Sequence, residues 1–344
     1  MNIAVLYGGL SSEREVSEVS GKMIANALRS SGHKVATVEL YFGFHTPFTL
    51  EKEDIPTLKN SPPDLCELIK RKGSPALIDD GVIDLCRTAD VVFLALHGGA
   101  GEDGRLQAFL DCHGIAYTGA SFISSAIAYD KALCKTVLSA RGIPVPDGAV
   151  LHEGEDFSDI SIPFPCVIKP VRGGSSVGIS FAENESELQM SLSLAFRHCG
   201  TVLVEKKLVG RELTVGVLGK TVLPPLEIIP KSGFYDYENK YEAGRTLEIC
   251  PAPISESEDT LLRKTALDAA TALGIDSYCR VDFILSDGVP YCLEVNTLPG
   301  MTKTSLLPQE AEAAGINFES LCGNIVDIAL WENQDRKNFV TKKS

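Results

Sequence analysis

The sequence predicts a mixed α/β fold that opens with a parallel α/β unit, and three observations lead there. Short apolar runs alternate with helical periodicities as far as about Gly119. A proline-bounded link, Gly142-Ile-Pro-Val-Pro146, then enters a second unit of strand-like runs and glycine-serine loops. Two β-like runs, 280–285 and 289–295, flank a Ser-Asp-Gly turn signal and read as a hairpin.

A chain of 344 residues is long for one core and suggests two or three units. Its 44% hydrophobic and 23% charged residues are those of an ordinary soluble globular protein. The net charge of -14 argues against a nucleic-acid partner, since phosphate backbones are bound by basic patches. Ten cysteines, with no C-x-x-C pair and most of them inside apolar runs, read as free thiols in a reducing compartment. The chain enters a strand at once, without a basic leader, and no uncharged apolar run approaches membrane-spanning length. A cytoplasmic protein without a signal peptide or membrane span is expected.

Residues 3–7 form a buried strand that ends at Gly8-Gly9. Ser12 and Glu15 then match a capping box, and Val16, Val19, Met23, Ile24, Ala27 and Leu28 follow at helical spacing until Gly32. Strand, glycine turn and helix make either a plain β-α unit or one whose helix N-terminus and Glu13 face a small ligand. GGLSSE lacks the G-x-G-x-x-G of a dinucleotide site. Residues 42–75 read as irregular connections with one short helix. The apolar strand 90–96 stops at His97, and four glycines between 98 and 104 let backbone approach a ligand closely. His97 is either a spacer or a ligand-orienting donor. A helix over 106–112 and a short strand over 115–119 complete the first unit.

A helix over 130–140 carries Lys131 in its first turn, where the helix dipole disfavours a cation. That lysine is either solvated or reaching for an anion. Strand 165–169 ends in Lys169 and leads into the loop 171–178, VRGGSSVG. Its backbone amides, with Arg172 and Lys169, suit an anion, although a flexible hairpin loop has the same composition and no Walker G-K-[ST] follows. Further strands are expected over 201–205 and 213–218. The loop 232–245 has no apolar periodicity and reads as a lid. An amphipathic helix over 257–274 precedes the hairpin; two helices near 309–314 and 318–331 and a polar, frayed tail from Glu332 follow it.

A three-residue hairpin loop, 286–288, pairs Asp282 with Cys292 and Arg280 with Glu294. Alternation then gives Arg280, Asp282, Glu294 and Asn296 one face, and Val281, Phe283, Leu293 and Val295 the other. A two-residue turn is expected to part Asp282 from Glu294. Carboxylates crowded on one face raise each other's pKa unless a cation intervenes. Hard oxygen donors without His or Cys suit magnesium, and magnesium held by few protein groups brings phosphate. The plain alternative is a solvated face with an Arg-Glu cross-strand pair.

In GGLSSEREVS, ALHGGAGEDG, YTG, DK, VIKPVRGGSSVG, EKKLVGRELTV, FYDYENKY, RVDF and LEVNTLPGMTKTSLLP, the chain resembles the ATP-grasp ligases over nearly its whole length. Within them it resembles the D-alanine–D-alanine ligases of peptidoglycan synthesis. The resemblance implies an ATP-grasp fold in three domains: an N-terminal substrate domain over 1–119, a central domain with the phosphate loop over 120–209, and a C-terminal domain with lid and metal site over 210–334. A polar tail, 335–344, follows, and ATP lies between the second and third domains. One D-alanine carboxylate takes the γ-phosphoryl group of ATP, and the amine of a second D-alanine displaces phosphate from the acyl phosphate.

By the same resemblance, Asp282, Glu294 and Asn296 hold two magnesium ions, or manganese, with Glu294 bridging, and Arg280 stabilises the oxyanion. Lys131, Lys169, Ser175, Ser176 and Val177 hold the phosphates. Glu205, Lys206 and Leu208 meet the adenine and Glu212 the ribose. Glu13 grips the ammonium of the first D-alanine with His97 nearby, while Gly300, Ser305 and Leu306 receive the second. Lys240 and Tyr241 belong to the lid, and Tyr241 hydrogen-bonds Ser175 and Glu13. Tyr241, where lactate-accepting ligases of the family carry histidine, favours an amine acceptor. D-Serine or D-lactate remains the alternative acceptor. A catalytically dead regulatory paralogue would lose acids at the metal face, and all three donors are present. A homodimer without nucleic-acid or membrane partners is implied.

Overall fold

The computed structural model describes residues 1–57, 63–74, 76–155, 163–174, 177–231 and 245–341, with side chains to residue 333 in the last segment. Strand β1 (Asn2–Tyr7) is central in a parallel sheet of order β2-β1-β3, with β2 (Lys34–Glu39) and β3 (Val91–Leu94) on either side. Ile3 to Leu6 are fully buried, as an unbroken apolar run demands when helices cover both faces. Helix α1 (Arg14–Ser30) follows the glycine turn. It lacks the expected Ser12–Glu15 box: Glu13 is the N-cap residue and its side chain makes no capping hydrogen bond. The Ser11 hydroxyl instead accepts the Glu13 N–H at 3.1 Å.

Helices α2 (Leu65–Lys72) and α3 (Asp80–Cys86) are capped by Asp64 and Asp79. Helices α4 (Arg105–Cys112), α5 (Phe122–Tyr129) and α6 (Lys131–Ala140) follow β3. The strand expected over 115–119 shrinks to one parallel bridge between Val92 and Tyr117. The Thr118 hydroxyl accepts the Leu94 N–H at 3.0 Å, so a side chain replaces the next rung of the ladder.

The second sheet, antiparallel, has the order β4-β7-β5-β6 and is built from β4 (Gly148–His152), β5 (Cys166–Pro170), β6 (Ser180–Ala182) and β7 (Thr201–Lys206). Helix α7 (Glu185–Ala195) packs its buried Leu188, Leu192 and Ala195 on it. The third sheet runs β11-β10-β8-β12-β13. It contains β8 (Arg211–Leu218), β9 (Thr221–Val222, paired to β8), β10 (Leu226–Pro230), β11 (Thr246–Ile249), β12 (Tyr278–Ser286) and β13 (Val289–Asn296). Helix α8 (Glu256–Ala272), started by a Ser255–Glu258 capping box, covers one face. Helices α9 (Leu306–Ala313) and α10 (Phe318–Thr341) end the described chain. The expected frayed tail from Glu332 is helical to Thr341.

The hairpin of β12 and β13 departs from its predicted register. Ser286 pairs with Val289, so the turn has two residues, Asp287 at φ 50° and Gly288 at φ 77°. Both central residues at positive φ make a primed turn, for which Asp-Gly is a preferred pair. Phe283 then faces Cys292, but Asp282 faces Glu294 and Arg280 faces Asn296. Leu293 is the extra residue of a β-bulge, and it resets the alternation. The expected pairings of Asp282 with Cys292 and Arg280 with Glu294 are therefore wrong, while the shared face is right. A two-residue turn does not part the carboxylates once a bulge follows it.

Buried side chains of α10, including Leu321, Cys322, Ile325 and Val326, join the same core cluster as β1, β3 and α1. The C-terminal helices thus pack against the first sheet, which fixes the segment after β13 beside the loops after β1 and β3. At one corner Gly104 has φ 88°, and a Cβ there would lie 2.4 Å from the Phe122 carbonyl oxygen. Gly104→Ala is expected to lower stability by about 1–3 kcal/mol, read as the midpoint of urea unfolding. An unchanged midpoint would mean that the corner between α4 and α5 can yield.

Candidate functional site

Several loops, two helix starts and the hairpin meet at a single cavity. The loop after β1 brings Glu13, the glycine loop after β3 brings His97 and Glu102, α6 brings Lys131, and Arg280, Glu294 and Asn296 come from the hairpin face. Gly300, Thr302, Thr304, Ser305 and Leu306 close its far wall, and Gly173 and Gly174 form its lip. Glycines make this convergence possible: a Cβ on Gly174 would stand 3.0 Å from the Glu13 carboxylate and one on Gly98 3.2 Å from it.

Arg280 grips Asp282 with two bonds, Nε to Oδ1 at 2.8 Å and a terminal nitrogen to Oδ2 at 2.9 Å. The Thr214 hydroxyl adds a bond to Oδ1 at 2.7 Å. Lys131 Nζ lies 3.2 Å from Glu294 and donates to the Gly173 carbonyl at 3.0 Å. Burial alone would push the Lys131 ammonium down, but Glu294 and Glu102 raise it above the usual lysine value. Two protein cations thus stand among the hairpin carboxylates. A smaller cavity beyond the lip shares Lys131, Gly173, Gly174 and Glu294 with the first and adds Pro170, Arg172 and Val177.

His97 is buried and uses both ring nitrogens on protein. Nδ1 lies 3.1 Å from the Leu298 carbonyl and Nε2 3.2 Å from the Ser20 hydroxyl. Burial lowers its pKa, so the ring is neutral, donates from Nδ1 and accepts from Ser20. That arrangement ties the glycine loop to the segment after β13.

At the N-terminus of α9, the Ser305 hydroxyl accepts the Thr302 N–H at 2.9 Å and lies 2.8 Å from the Thr302 hydroxyl. A helix N-terminus lined with hydroxyls offers donors to an anion. On β7, Glu205 pairs with Lys169 of β5 at 2.8 Å and with Lys135 of α6. The two ammonium groups hold Glu205 below the usual carboxylate range despite its burial. Burial and the neighbouring Lys169 bring Lys135 down to about 8.

The structure therefore gathers Glu13, His97, Lys131, Arg280, Glu294, Asn296, Gly300, Ser305 and Leu306 at one cavity. Asp282 is not among the residues that line it, and its carboxylate is held by Arg280. Val177 lines the smaller cavity, and Lys169 meets Glu205 at 2.8 Å. Lys206, Leu208 and Glu212 line neither cavity. Ser175, Ser176, Lys240 and Tyr241 lie outside the described residues.

Sequence reasoning missed Glu102, which burial and the Glu13 carboxylate push up to about 8. Its position inside the glycine loop was the available signal. Lys135 was missed too, although it sits four residues after Lys131 on the same helix and so on the same face. Among the described residues, no group of three or more His, Cys, Asp or Glu side chains could hold a metal ion. A cation at the hairpin face would rely on the Asn296 amide and on phosphate oxygens as well as on two carboxylates. Among the same residues, no helix is long and apolar enough to cross a membrane.

Known proteins match this chain over most of its length. Residues 2–120 match the family model for the N-terminus of D-Ala–D-Ala ligases, and residues 137–327 match the model for their C-terminus. The D-alanine–D-alanine ligase of Pediococcus pentosaceus is 40% identical, with 95% of this chain and 97% of that protein covered. The crystal structure of the Bacillus anthracis D-alanine–D-alanine ligase complexed with ATP superposes with a TM-score of 0.78 at 31% identity, covering 98% of this chain and 99% of that one. The VanG D-Ala:D-Ser ligase of Enterococcus faecalis gives 0.77 at 26% identity, covering 95% and 99%. The chain has the ATP-grasp fold and belongs to the D-alanine–D-alanine ligase family.

Proposed function

We propose that the protein joins two D-alanines into D-alanyl-D-alanine at the expense of ATP, for peptidoglycan precursor synthesis. The observation that carries this reading is the row of Arg280, Glu294 and Asn296, which faces one cavity between the hydroxyl-lined start of α9 and the Gly173–Gly174 lip. In the first step a carboxylate oxygen of one D-alanine attacks the γ-phosphorus, the bond to the β,γ-bridging oxygen breaks, and ADP leaves. In the second, the amine of the other D-alanine adds to the acyl carbon. The tetrahedral oxyanion then collapses with loss of inorganic phosphate, and the surplus ammonium protons pass to solvent or a nearby base.

A carboxylate attacking a triphosphate needs positive charge between the two. Asp282, Glu294 and Asn296 would hold the two magnesium ions, which supply that charge when bound. The donor chemistry fits: two carboxylates and an amide are hard ligands, and Arg280 and Lys131 already occupy the positive positions beside them. Arg280 projects into the cavity from the same strand as Asp282, where a preorganised donor meets a developing oxyanion. Glu13 receives the ammonium of the first D-alanine, with His97 fixing the adjacent loop. Ser305, Leu306 and Gly300 receive the carboxylate of the second.

Lys131 and Lys169 take the phosphates together with the loop that contains Ser175, Ser176 and Val177. Glu205, Lys206 and Leu208 meet the adenine and Glu212 the ribose. Lys240 and Tyr241 close the lid. The protein works as three domains over 1–119, 120–209 and 210–334, in the cytoplasm and as a homodimer. Tyr241 and the similarity to ligases named for D-alanine favour that acceptor over D-serine or D-lactate.

Phosphate release measured with D-alanine, L-alanine, D-serine and D-lactate is expected to be fastest with D-alanine, and equal or faster release with another acceptor would reassign the substrate. Glu294→Gln is expected to cut ligation by about 10²-fold or more and to remove magnesium-dependent ATP binding with it. Near-normal turnover in that variant would exclude the metal assignment. His97 supplies a pH test. Its folded pKa lies below the ordinary 6.5, so the unfolded chain takes up this proton first on acidification. The stability tied to the neutral ring is full above pH 6.5 and is lost as pH falls through the folded value. Urea midpoints from pH 7.5 down to about 5 are expected to fall more steeply in wild type than in His97→Asn. Parallel curves would mean that His97 does not titrate in this window.

A further inference from the structure

Helix α9 carries a second carboxylate-bearing contact that the reaction described above does not use. Glu310 is fully buried. Its Oε1 accepts the backbone N–H of Gly216 at 3.1 Å, and its Oε2 has no hydrogen-bond partner. Gly216 lies in β8 directly opposite Arg280 of β12. Strand β10 pairs with β8 only from Glu212 to Thr214, so the ladder has run out where Gly216 presents its amide. The Gly216 carbonyl is met by the Leu223 N–H at 2.8 Å, and Glu310 meets the N–H.

A bare strand amide needs only an acceptor, and here the carboxyl supplies it with one oxygen and leaves the other without a hydrogen-bond partner. An unsatisfied buried polar atom costs about 1–3 kcal/mol. A buried group kept at that cost calls for an explanation. Its place on the helix gives one. Glu310 lies four residues after Leu306 and therefore on the same face, while Ser305 and Leu306 line the cavity. The helix also approaches the strand closely here: a Cβ on Gly216 would stand 2.6 Å from Leu307 Cδ1 and 2.7 Å from Glu310 Oε2.

We propose that Glu310 is a positioning residue that locks α9 to the strand beside Arg280, and so fixes the acceptor-binding start of that helix relative to the oxyanion donor. The proposal rests on the ligase reading. Burial pushes the Glu310 carboxyl well above the usual carboxylate range, against the opposing charge of Arg280. Its amide isostere can do the same work. A helix start that drifts moves the nucleophile away from its line of attack, and small misplacements cost rate steeply.

The test compares Glu310→Gln, Glu310→Leu and Glu310→Asp in the full-length protein, with thermal melting to confirm folding. Glu310→Gln is expected to keep the KM of both D-alanine sites and of ATP within about twofold of wild type, as an isosteric acceptor should. Glu310→Leu, without an acceptor, and Glu310→Asp, one methylene short of Gly216, are expected to raise the acceptor-site KM by about tenfold to a hundredfold while leaving the ATP KM unmoved. If Glu310→Leu does not fold, Glu310→Asp carries the comparison. A folded Leu or Asp variant with an unchanged acceptor KM overturns the proposal, as does one in which acceptor and ATP constants rise together, or a Gln variant as impaired as Leu. A wild-type protein that makes no dipeptide from ATP and D-alanine would instead sink the ligase reading itself.

Discussion

Two carboxylates set opposite each other across an antiparallel strand pair repel, and the arrangement around Asp282 and Glu294 answers that repulsion. Arg280 takes Asp282 with a bidentate grip, and Lys131 reaches Glu294 from another element. Neither cation is incidental to the site. Arg280 holds its carboxylate and also lines the cavity, while Lys131 touches the Gly173 carbonyl as well as Glu294. On the proposed reading, the groups that make the face tolerable without ligand are also those that would meet an oxyanion and a triphosphate. The proposed mechanism therefore asks the same atoms to compensate charge in the fold and in the reaction.

The position of that face relative to the loops after β1 and β3 depends on a core that crosses the chain. Residues of α10 and α9 lie in one apolar cluster with β1 and β3, although they are far apart in sequence. His97 strengthens the junction with a neutral ring that bonds the Leu298 carbonyl on one side and Ser20 on the other. Glu102, pushed up to about 8, is largely uncharged at neutral pH and so spares the cavity a further negative charge.

Much of this was legible beforehand. The apolar runs that became β1, β3, β7 and β12 have no other stable place than a buried sheet, and the helices between them carry the expected periodicity. The set of residues on the hairpin face was legible because a two-residue turn plus one bulged residue leaves the same parity as the expected three-residue loop. Its register was not, because a bulge shows only as one extra residue and Leu293 sits where the alternation already expects an apolar side chain. The strand over 115–119 failed for a local reason, the Thr118 hydroxyl standing in for a backbone rung. Lys135 and Glu310 look like ordinary helix charges in the sequence. Their burial comes from tertiary partners, Glu205 and Gly216, which lie 70 and 94 residues away.

The bulge makes this hairpin unequal in its tolerance of insertions and deletions. Losing a single codon at Leu293 would leave the turn intact, yet it would restore strict alternation and rotate either Glu294 and Asn296 or their partners into the apolar layer beneath. At the Asp287–Gly288 tip, a length change can be absorbed as a different turn. The inherited length of β13 is therefore pinned by one residue whose own side chain performs no chemistry.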